Sequence, residues 1–228
     1  MISHVGHVAH CLLMHRVIMR TLLALALFTA ACTTNAPAGS DSFDSVRERL
    51  ADGSTRLVIG GVESTGMVTA RRWTPGGWVE GDTALTVENG ELAAHVDQSG
   101  KLTISAFEVA VAPIEIPEEV FKKPASLSDV KVKLLEATSG AATWTNDNEA
   151  SARLSLKLDL EWAISVNGGK TPLGEQHLPA VDVDVTVSGD GDYIGATLSL
   201  AATGELWNWA GLLEMTKLEL SLGAETTD

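Results

Sequence analysis

The feature that most constrains the fold is a long stretch, residues 152–166, in which apolar and polar residues alternate. Every even-numbered residue in it is apolar, and nearly every odd-numbered residue is polar or charged. Because successive side chains of a strand point to opposite faces, the pattern predicts one strand of about 15 residues, roughly 50 Å long, with one buried face. Typical strands have about 5–6 residues. We therefore predict a tall, curved or strongly twisted sheet.

Shorter segments repeat this alternation along the rest of the chain. Their composition and period predict an all-β fold, an antiparallel meander forming a β-sandwich or a curved, barrel-like sheet. The sequence does not distinguish a barrel from a sandwich, because both show the same alternation. The further predicted strands are residues 57–59, 67–73, 83–87, 92–96, 102–111, 130–134, 181–188, 194–200 and 217–222.

Turns and one helix complete the predicted organisation. Phe43, Val46 and Leu50 have helical spacing, with Asp41 or Ser42 as the cap and Gly53 as the end. The longest connection, residues 113–128, predicts a loop or a single helical turn. Glycine-containing turns are predicted at Asn89-Gly90, Ser99-Gly100, Asn167-Gly168-Gly169 and Asp190-Gly191.

The beginning of the chain has the layout of a secretory signal peptide. Arg16 and Arg20 form a positive region, followed by an apolar run at residues 21–31. This run is too short for a mature transmembrane helix, which needs about 20 residues. We expect residues 1–31 to be the signal peptide, with residues 1–13 upstream of the true start.

The end of this leader resembles the lipobox of bacterial lipoprotein precursors. In Thr29-Ala30-Ala31-Cys32, the last three residues match the family pattern, whereas the family usually has leucine where Thr29 stands. The resemblance implies that Cys32 receives diacylglycerol before cleavage on its N-terminal side, and palmitate is the expected acyl group. Residues 32–41 would then be the lipidated cysteine and a flexible tether, and residues 42–228 one β-rich domain. An ordinary signal peptide, with Cys32 incidental, remains the alternative.

The same resemblance implies a location. The protein is expected to be exported and anchored to a bacterial membrane through its N-terminal lipid. In envelopes with two membranes, an aspartate directly after the cysteine resembles an inner-membrane retention signal, and this chain has Thr33 there. The outer membrane is therefore favoured where the host has one.

The charge of the chain limits its partners. Two of the 16 Lys and Arg residues and none of the 30 Asp and Glu residues lie in the leader, which leaves 14 bases, 30 acids and a net charge of −16. Such a field repels phosphate backbones, so nucleic acid is excluded as a partner. Both cysteines, Cys11 and Cys32, precede the domain, so it has no internal disulfide.

Residues suited to catalysis are few after the leader. Only His95 and His177 remain there among the histidines, and no nucleophile elbow, HExxH pattern or phosphate-binding loop accompanies them. Asp190-Gly191-Asp192 predicts a hairpin turn rather than a calcium site, because the third acid and terminal glutamate of a calcium loop are missing. We expect no catalytic residue, metal or cofactor. An enzyme that acts on polysaccharide through paired carboxylates is a distant alternative.

Tryptophans supply the candidate ligand contacts. Trp162 lies on the apolar face of the predicted long strand and is expected in the core. Exposed tryptophans at loop tips can stack on sugar rings or lie among lipid headgroups, although they can also close the ends of a sheet core. Gly204 is expected to introduce a bulge that changes which face the tryptophans after it occupy. The candidate contacts are Trp73, Trp78, Trp207 and Trp209.

Two non-enzymatic functions follow from these observations. The first is a membrane-tethered envelope lipoprotein with a binding role, whose ligand is a lipid or another small hydrophobic molecule. The second is a structural or scaffolding lipoprotein that contacts another envelope protein. The sequence identifies neither the ligand, nor the partner, nor the oligomeric state.

Overall fold

A computed structural model of the protein describes residues 43–209 and 212–227, except for the side chains of Val62 and Trp209. The predicted signal peptide and tether, and with them Cys32, lie outside the described residues. The described part contains no helix long and apolar enough to cross a membrane.

One short helix and thirteen strands in a single antiparallel sheet make up the described residues. This confirms the all-β prediction. The elements are α1 (Val46–Asp52), β1 (Thr55–Thr74), β2 (Gly77–Leu85), β3 (Val87–Val96), β4 (Lys101–Val111), β5 (Ile114–Glu115), β6 (Ala125–Leu134), β7 (Thr138–Asn146), β8 (Glu149–Leu156), β9 (Leu158–Val166), β10 (Gly169–His177), β11 (Val181–Gly189), β12 (Ile194–Trp209) and β13 (Leu213–Glu225).

The strands combine into eight long segments that run up and down the molecule. Strands β1, β12 and β13 are unbroken segments, and the others join end to end as β2 with β3, β4 with β5, β6 with β7, β8 with β9 and β10 with β11. Each consecutive pair of segments is antiparallel and hydrogen-bonded. The predicted meander is thus the connectivity of the described domain.

The first and last strands close this meander into a ring. β1 pairs with β13 along most of its length, from Val58 opposite Glu225 to Arg71 opposite Glu214. The N-terminal half of β4 pairs with β7, which completes a ring of eight strands in the order β4-β3-β1-β13-β12-β11-β8-β7. One half of the domain is therefore a closed, barrel-like sheet.

The other half of the domain opens into two layers. Among the described residues, β2 and β5 are not paired in the sheet, and neither are β10 and β12. A side-chain hydrogen bond joins the strands of each pair instead. Thr83 Oγ1 of β2 donates to the Glu115 carbonyl of β5 (3.2 Å), and Gln176 Nε2 of β10 donates to the Leu206 carbonyl of β12 (3.0 Å). The layers β2-β1-β13-β12 and β5-β6-β9-β10 face each other, so the same molecule is a barrel at one end and a sandwich at the other.

The predicted long strand is present but broken at Lys157. Strand β8 continues the ring between β7 and β11, whereas β9 joins the open half between β6 and β10. Even-numbered side chains face inward on both sides of the break. The neighbouring segment is broken at the same level, between β6 and β7. There Leu135 N donates a hydrogen bond to the Lys157 carbonyl (3.0 Å). The inward-facing side chains of residues 152–166 therefore contribute to the interior of both the ring and the open half.

Apolar side chains fill the interior from one end to the other as one continuous cluster. Two small cavities lie between the layers of the open half, each with a volume of ≈ 10 Å³. A cavity needs roughly 10–15 Å³ to hold one water molecule. Neither cavity has room for an acyl chain.

Helix α1 closes one end of the ring. Its Val46 and Leu50 side chains are fully buried, and Val46 N donates to Asn148 Oδ1 (3.0 Å). The cap is Ser45, whose side chain accepts from Glu48 N (3.2 Å), and not Asp41 or Ser42, which lie outside the described residues. The helix ends at Gly53, as predicted.

One predicted turn is wrong. Asn89-Gly90 lies inside β3, where Gly90 is opposite Ile59 of β1 and Val109 of β4. A Cβ on Gly90 would lie 2.5 Å from the Glu108 carbonyl oxygen, so this glycine permits close strand approach rather than chain reversal. The other three predicted turns connect consecutive strands.

The up-and-down topology gives the domain two different ends. The helix end holds α1 together with the turns at residues 97–100, 147–148 and 190–193. The tip end holds the turns at residues 75–76 and 167–168, the loop at 116–124, the end of β12 and the start of β13. Asn167 N donates to the Pro124 carbonyl (3.1 Å), which ties two of these connections together. The chain enters the described domain at the helix end, where the Phe43 carbonyl lies beside Gly191.

Candidate functional site

The most prominent surface feature is the β1–β2 hairpin at the tip end, here called the tip hairpin (residues 71–80). Trp73 and Trp78 are directly opposite each other in its two strands. Pro75 and Gly76 form the turn, and Thr74 Oγ1 donates to the Gly77 carbonyl (2.8 Å). Gly77 has φ of 112°, a conformation that side chains with a Cβ rarely adopt. This sequence therefore fixes the two tryptophans as a cross-strand pair.

The two tryptophan rings form an exposed aromatic surface. Trp73 is 56% exposed and Trp78 is 45% exposed. Their ring centroids are 5.6 Å apart at an interplanar angle of 70°, an edge-to-face arrangement that is favourable for aromatic pairs. Burying even one such ring against a ligand would remove a large apolar area from water. The tip hairpin thus presents a ready contact surface.

A chain of polar contacts holds Trp78 in place. The Arg71 guanidinium lies 4.3 Å from the Trp78 ring centroid, and its Nε donates to Glu214 Oε2 (2.8 Å). Asn208 Nδ2 donates to the other carboxylate oxygen of Glu214 (3.1 Å). The Glu214 side chain is only 9% exposed, so water screens its ion pair little. The ring is therefore positioned before any ligand arrives, which reduces the entropy lost on binding.

We expect Arg71→Met to lower the free energy of unfolding by about 1–3 kcal/mol, because it leaves the Glu214 carboxylate buried without its cation. The near-ultraviolet circular dichroism of the tryptophans should weaken as well, because Trp78 loses the group stacked on it. Urea unfolding and a near-ultraviolet spectrum measure the two effects.

The matched control is Arg153→Met on β8. Arg153 pairs with Asp182 and Asp184 at an exposed site, where ion pairs contribute little. This variant should unfold within about 0.5 kcal/mol of the parent and keep its spectrum. Equal losses from both variants would contradict the bracing role of Arg71.

An open groove, here called the tip groove, runs between the tip hairpin and the loop at 116–124. Its volume is ≈ 470 Å³, and its walls include Arg72, Trp73 and Val79 from the hairpin and Glu119 and Lys122 from the loop. Ligand sites of this kind have volumes of roughly 300–1,000 Å³ and combine apolar walls with a few placed polar groups. The groove is therefore large enough for a small ligand, unlike the interior.

The charged groups of the tip groove were not predicted as site residues. The Arg72 guanidinium stacks on Phe121 at 5.6 Å, and its Nε is buried without a hydrogen-bond partner among the described residues. Lys122 is exposed and forms no ion pair with the described residues. In the sequence Lys122 lies about 40 residues beyond the end of the hairpin, and only the fold of the loop brings them together.

The other two candidate tryptophans have different positions. Trp207 is 5% exposed and packs edge to face against Trp162, with centroids 4.5 Å apart. It lies in the core between the two layers and not on the surface. Gly204, with φ of 116°, begins the predicted bulge, after which both Leu206 and Trp207 are buried. The side chain of Trp209 lies outside the described residues.

The remaining titratable candidates do not converge on a site. His177 is exposed and contacts Asp159 across β9 and β10, with no hydroxyl or thiol hydrogen-bonded to it. His95 is half-buried on β3. Asp190 Oδ1 accepts from Tyr193 N (2.9 Å), as in a plain turn. The described residues contain no group of three or more His, Cys, Asp or Glu side chains arranged to hold a metal ion.

A shallow depression on the outer face of β1, β12 and β13 is less specific. Its volume is ≈ 360 Å³, and small residues such as Thr65, Ser199 and Ser221 line it. Glu219 accepts a hydrogen bond from Lys217 (2.9 Å), and this bond raises the pKa of Lys217 above its usual value. With its nearest cation already paired and no aromatic ring, this surface offers little for recognition.

Comparison with known proteins does not identify a family. No protein-family model matches the chain, and no curated protein is similar to it. Two solved structures show a remote likeness: both are of Ail, the attachment invasion locus protein of Yersinia pestis, one in complex with the heparin analogue sucrose octasulfate. Each is 10% identical over 76% of this chain and 98% of the Ail chain, with TM-scores of 0.35 and, for the complex, 0.39. At these TM-scores the likeness carries no argument about fold or function.

Proposed function

We propose that this protein is a lipid-anchored, non-enzymatic binding protein of the bacterial cell envelope, and that it binds at the tip hairpin. The observation that carries the proposal is the exposed pair of tryptophans at the tip hairpin, which lies beside an open groove of ≈ 470 Å³. The two cavities between the layers, by contrast, have volumes of only ≈ 10 Å³ each.

The anchor in this proposal is the lipid on Cys32. The signal-peptide layout and the lipobox-like residues before Cys32 support it. About ten residues separate Cys32 from Phe43, and such a segment reaches roughly 35 Å when extended.

The packing of the open half argues against a lipid carrier with an internal site. A carrier needs a cavity of several hundred Å³ to enclose a hydrophobic ligand. The two layers instead enclose cavities of ≈ 10 Å³ each. We therefore assign ligand contact to the outer surface, where Trp73 and Trp78 are exposed.

Lipidation is tested by metabolic labelling of cells with a palmitate analogue. The parent chain should carry the label and fractionate with membranes. Cys32→Ala should lose the label and leave the membrane fraction, because no other anchor is proposed. A Cys32→Ala chain that remains labelled would refute the anchor.

Binding at the tip hairpin is tested in the same cells with a photo-crosslinking amino acid at position 73. A matched chain carries it at position 151, on the exposed face of β8 in the ring. We expect specific adducts from position 73 and few from position 151. An adduct with one protein would favour the structural or scaffolding role. Equal adducts from both positions would contradict a site at the tip hairpin.

A further inference from the structure

We infer that the tip hairpin docks on the surface of a lipid bilayer and places the Trp73 and Trp78 rings among the lipid headgroups. This inference rests on the proposed binding function and names the partner. Three observations carry it: exposed apolar side chains concentrated at the tip end, an outer edge of the hairpin without charged residues, and an apolar area too small for a stable protein interface.

Exposed apolar side chains are concentrated at the tip end. Among the described side chains, six large hydrophobic ones are exposed, and three of them are Trp73, Trp78 and Leu212. The two rings lie on the face of the hairpin that carries the ion pair of Arg71 with Glu214. Arg71 is opposite Glu214 in the sheet, so Leu212, two residues before Glu214, lies at the level of Trp73, two residues after Arg71. Trp73, Trp78 and Leu212 are here called the tip cluster.

The outer edge of the hairpin carries no charge. Residues 73–79 contain no Asp, Glu, Lys or Arg, whereas the chain after Cys32 has 30 acids and 14 bases. Directly behind the rings, the Arg71 guanidinium and the Glu214 carboxylate are paired (2.8 Å) and add no net charge. The tip cluster therefore leaves bulk water without desolvating an unpaired carboxylate, which would be costly. Zwitterionic headgroups are favoured over anionic ones, because a negative surface would repel the acidic domain.

Tryptophan suits the headgroup region. An indole combines an apolar ring with one N–H donor, and such rings are enriched at membrane–water interfaces. The edge-to-face packing of the two rings and the Arg71 guanidinium over Trp78 hold them in place before contact. The Pro75-Gly76 turn limits the depth, because hydrocarbon offers no partner for the backbone N–H and C=O groups of a loop. The rings therefore rest at headgroup level and do not enter the acyl core.

The apolar area of the tip cluster is small for a protein partner. A fully covered aromatic side chain buries about 150–250 Å². Because the two rings and Leu212 are each about half exposed, together they offer roughly 300 Å². A stable protein interface takes about 800 Å² from each partner. A bilayer needs no matching shape, and a shallow attachment of this kind adds to the one that the proposed lipid on Cys32 supplies.

The experiment uses the lipid-anchored protein in phosphatidylcholine vesicles, with an environment-sensitive nitrobenzoxadiazole dye on Gly76→Cys. Cys11 lies in the predicted leader and Cys32 carries the proposed lipid, so position 76 supplies the thiol for labelling. An added Cβ at Gly76 would have Thr74 Oγ1 as its nearest neighbour, at 3.8 Å, so cysteine fits there. Protein-free vesicles of the same lipid are added, so that contact with either bilayer is detected. We expect a blue shift of the emission, and quenching by lipids brominated near the headgroup end of their acyl chains.

The matched position for the dye is Ser155→Cys, on the exposed face of β8 in the middle of the domain. The dye there should keep the emission that it has in water and should not be quenched. Equal quenching at both positions would mean that the whole domain lies along the membrane, and docking by the tip hairpin would be refuted.

Variants of the tip cluster give signed predictions in the labelled chain. Trp73→Ala should lower the ratio of docked to free tip by about tenfold or more, because about half of an indole surface is no longer removed from water. Leu212→Ser should lower this ratio several-fold. The control is Leu135→Ser, which removes the same side chain from an exposed position between β6 and β7 and should leave the ratio unchanged.

The outcomes separate the inference from the proposed function. If the dye at position 76 shows neither shift nor quenching while position 73 still yields specific protein adducts in cells, the bilayer is refuted as the partner and the binding site stands. If Trp73→Ala and Leu212→Ser leave the quenching unchanged, the tip cluster is not the contact and the inference is wrong. Absence of both the quenching and the specific adducts would refute the proposed function as well.

Discussion

Replacing Trp207 by alanine should destabilise the domain by about 3–5 kcal/mol, the usual cost of truncating a buried tryptophan. Trp207 is 5% exposed and fills the space between the two layers against Trp162, so its loss leaves a void that neither layer can close alone. The whole stability of a domain is about 5–15 kcal/mol, so this one change should remove a large share of it. Urea unfolding followed by far-ultraviolet circular dichroism measures the loss.

The matched control for this experiment is Trp73→Ala. The same side chain is removed, but from a position that is 56% exposed at the tip hairpin. Its cost should stay below about 1.5 kcal/mol, the contribution of its edge-to-face contact with Trp78. If the two variants lost equal stability, Trp207 would not be the core residue that the structure shows, or Trp73 would not be the surface residue assigned to binding.

The second large effect is expected at Gly90. Alanine there should cost about 1–3 kcal/mol, because the added Cβ would lie 2.5 Å from the Glu108 carbonyl oxygen and close to Ile59. The obstacle is backbone on one side and a fully buried side chain on the other, so little can move aside. Chemical unfolding of Gly90→Ala measures this cost directly.

A glycine of the neighbouring strand supplies the control. Gly60 of β1 has no atom within 4 Å of an added Cβ, and Gly60→Ala should raise stability by less than about 1 kcal/mol. The comparison also separates two interpretations of Asn89-Gly90. A surface turn would tolerate alanine at a small cost, whereas a tightly paired strand would not, so a neutral Gly90→Ala would contradict the register of β3.

Much of the β structure could be predicted from single segments of sequence. The alternation in residues 152–166 predicts the inward-facing residues of both β8 and β9, although as one continuous strand, and the spacing of Val46 and Leu50 predicts α1. Gly204 as a bulge also follows from the sequence alone. The strand and helix predictions succeed because each depends on which side of a local segment is apolar, and that information lies within the segment.

Strands β7 and β10 escaped prediction because they lack such a pattern, and the two-residue β5 lies in the segment that was predicted as a loop, residues 113–128. Most side chains of β10 are exposed, and those of β7 are exposed or half-buried, so neither segment has a clear apolar face. Their backbone groups nevertheless pair with β9, β8 and β4. Backbone hydrogen-bonding groups are chemically the same at every residue except proline, so pairing of this kind leaves little mark on the sequence.

The candidate site could be predicted only in part. Trp73 and Trp78 follow from their places on either side of a predicted turn, whereas Arg72, Lys122 and Glu119 do not. Trp207 has the same chemistry and a comparable place near a turn, yet it lies in the core. Exposure depends on what packs against a side chain, and the packing partners of Trp207 come from a strand some 45 residues earlier in the chain.

The sequence by itself determined the all-β class, the faces that are buried and the short helix. Only the tertiary structure decided that the meander closes through β1 and β13, that it opens into two layers at the tip end, and that two cavities between these layers measure only ≈ 10 Å³ each. Local alternation specifies which side chains of a strand face inward, but it does not specify which other strand pairs with it. Closure and cavity volume depend on the pairing of strands from opposite ends of the chain, and they emerge only when all eight segments pack together.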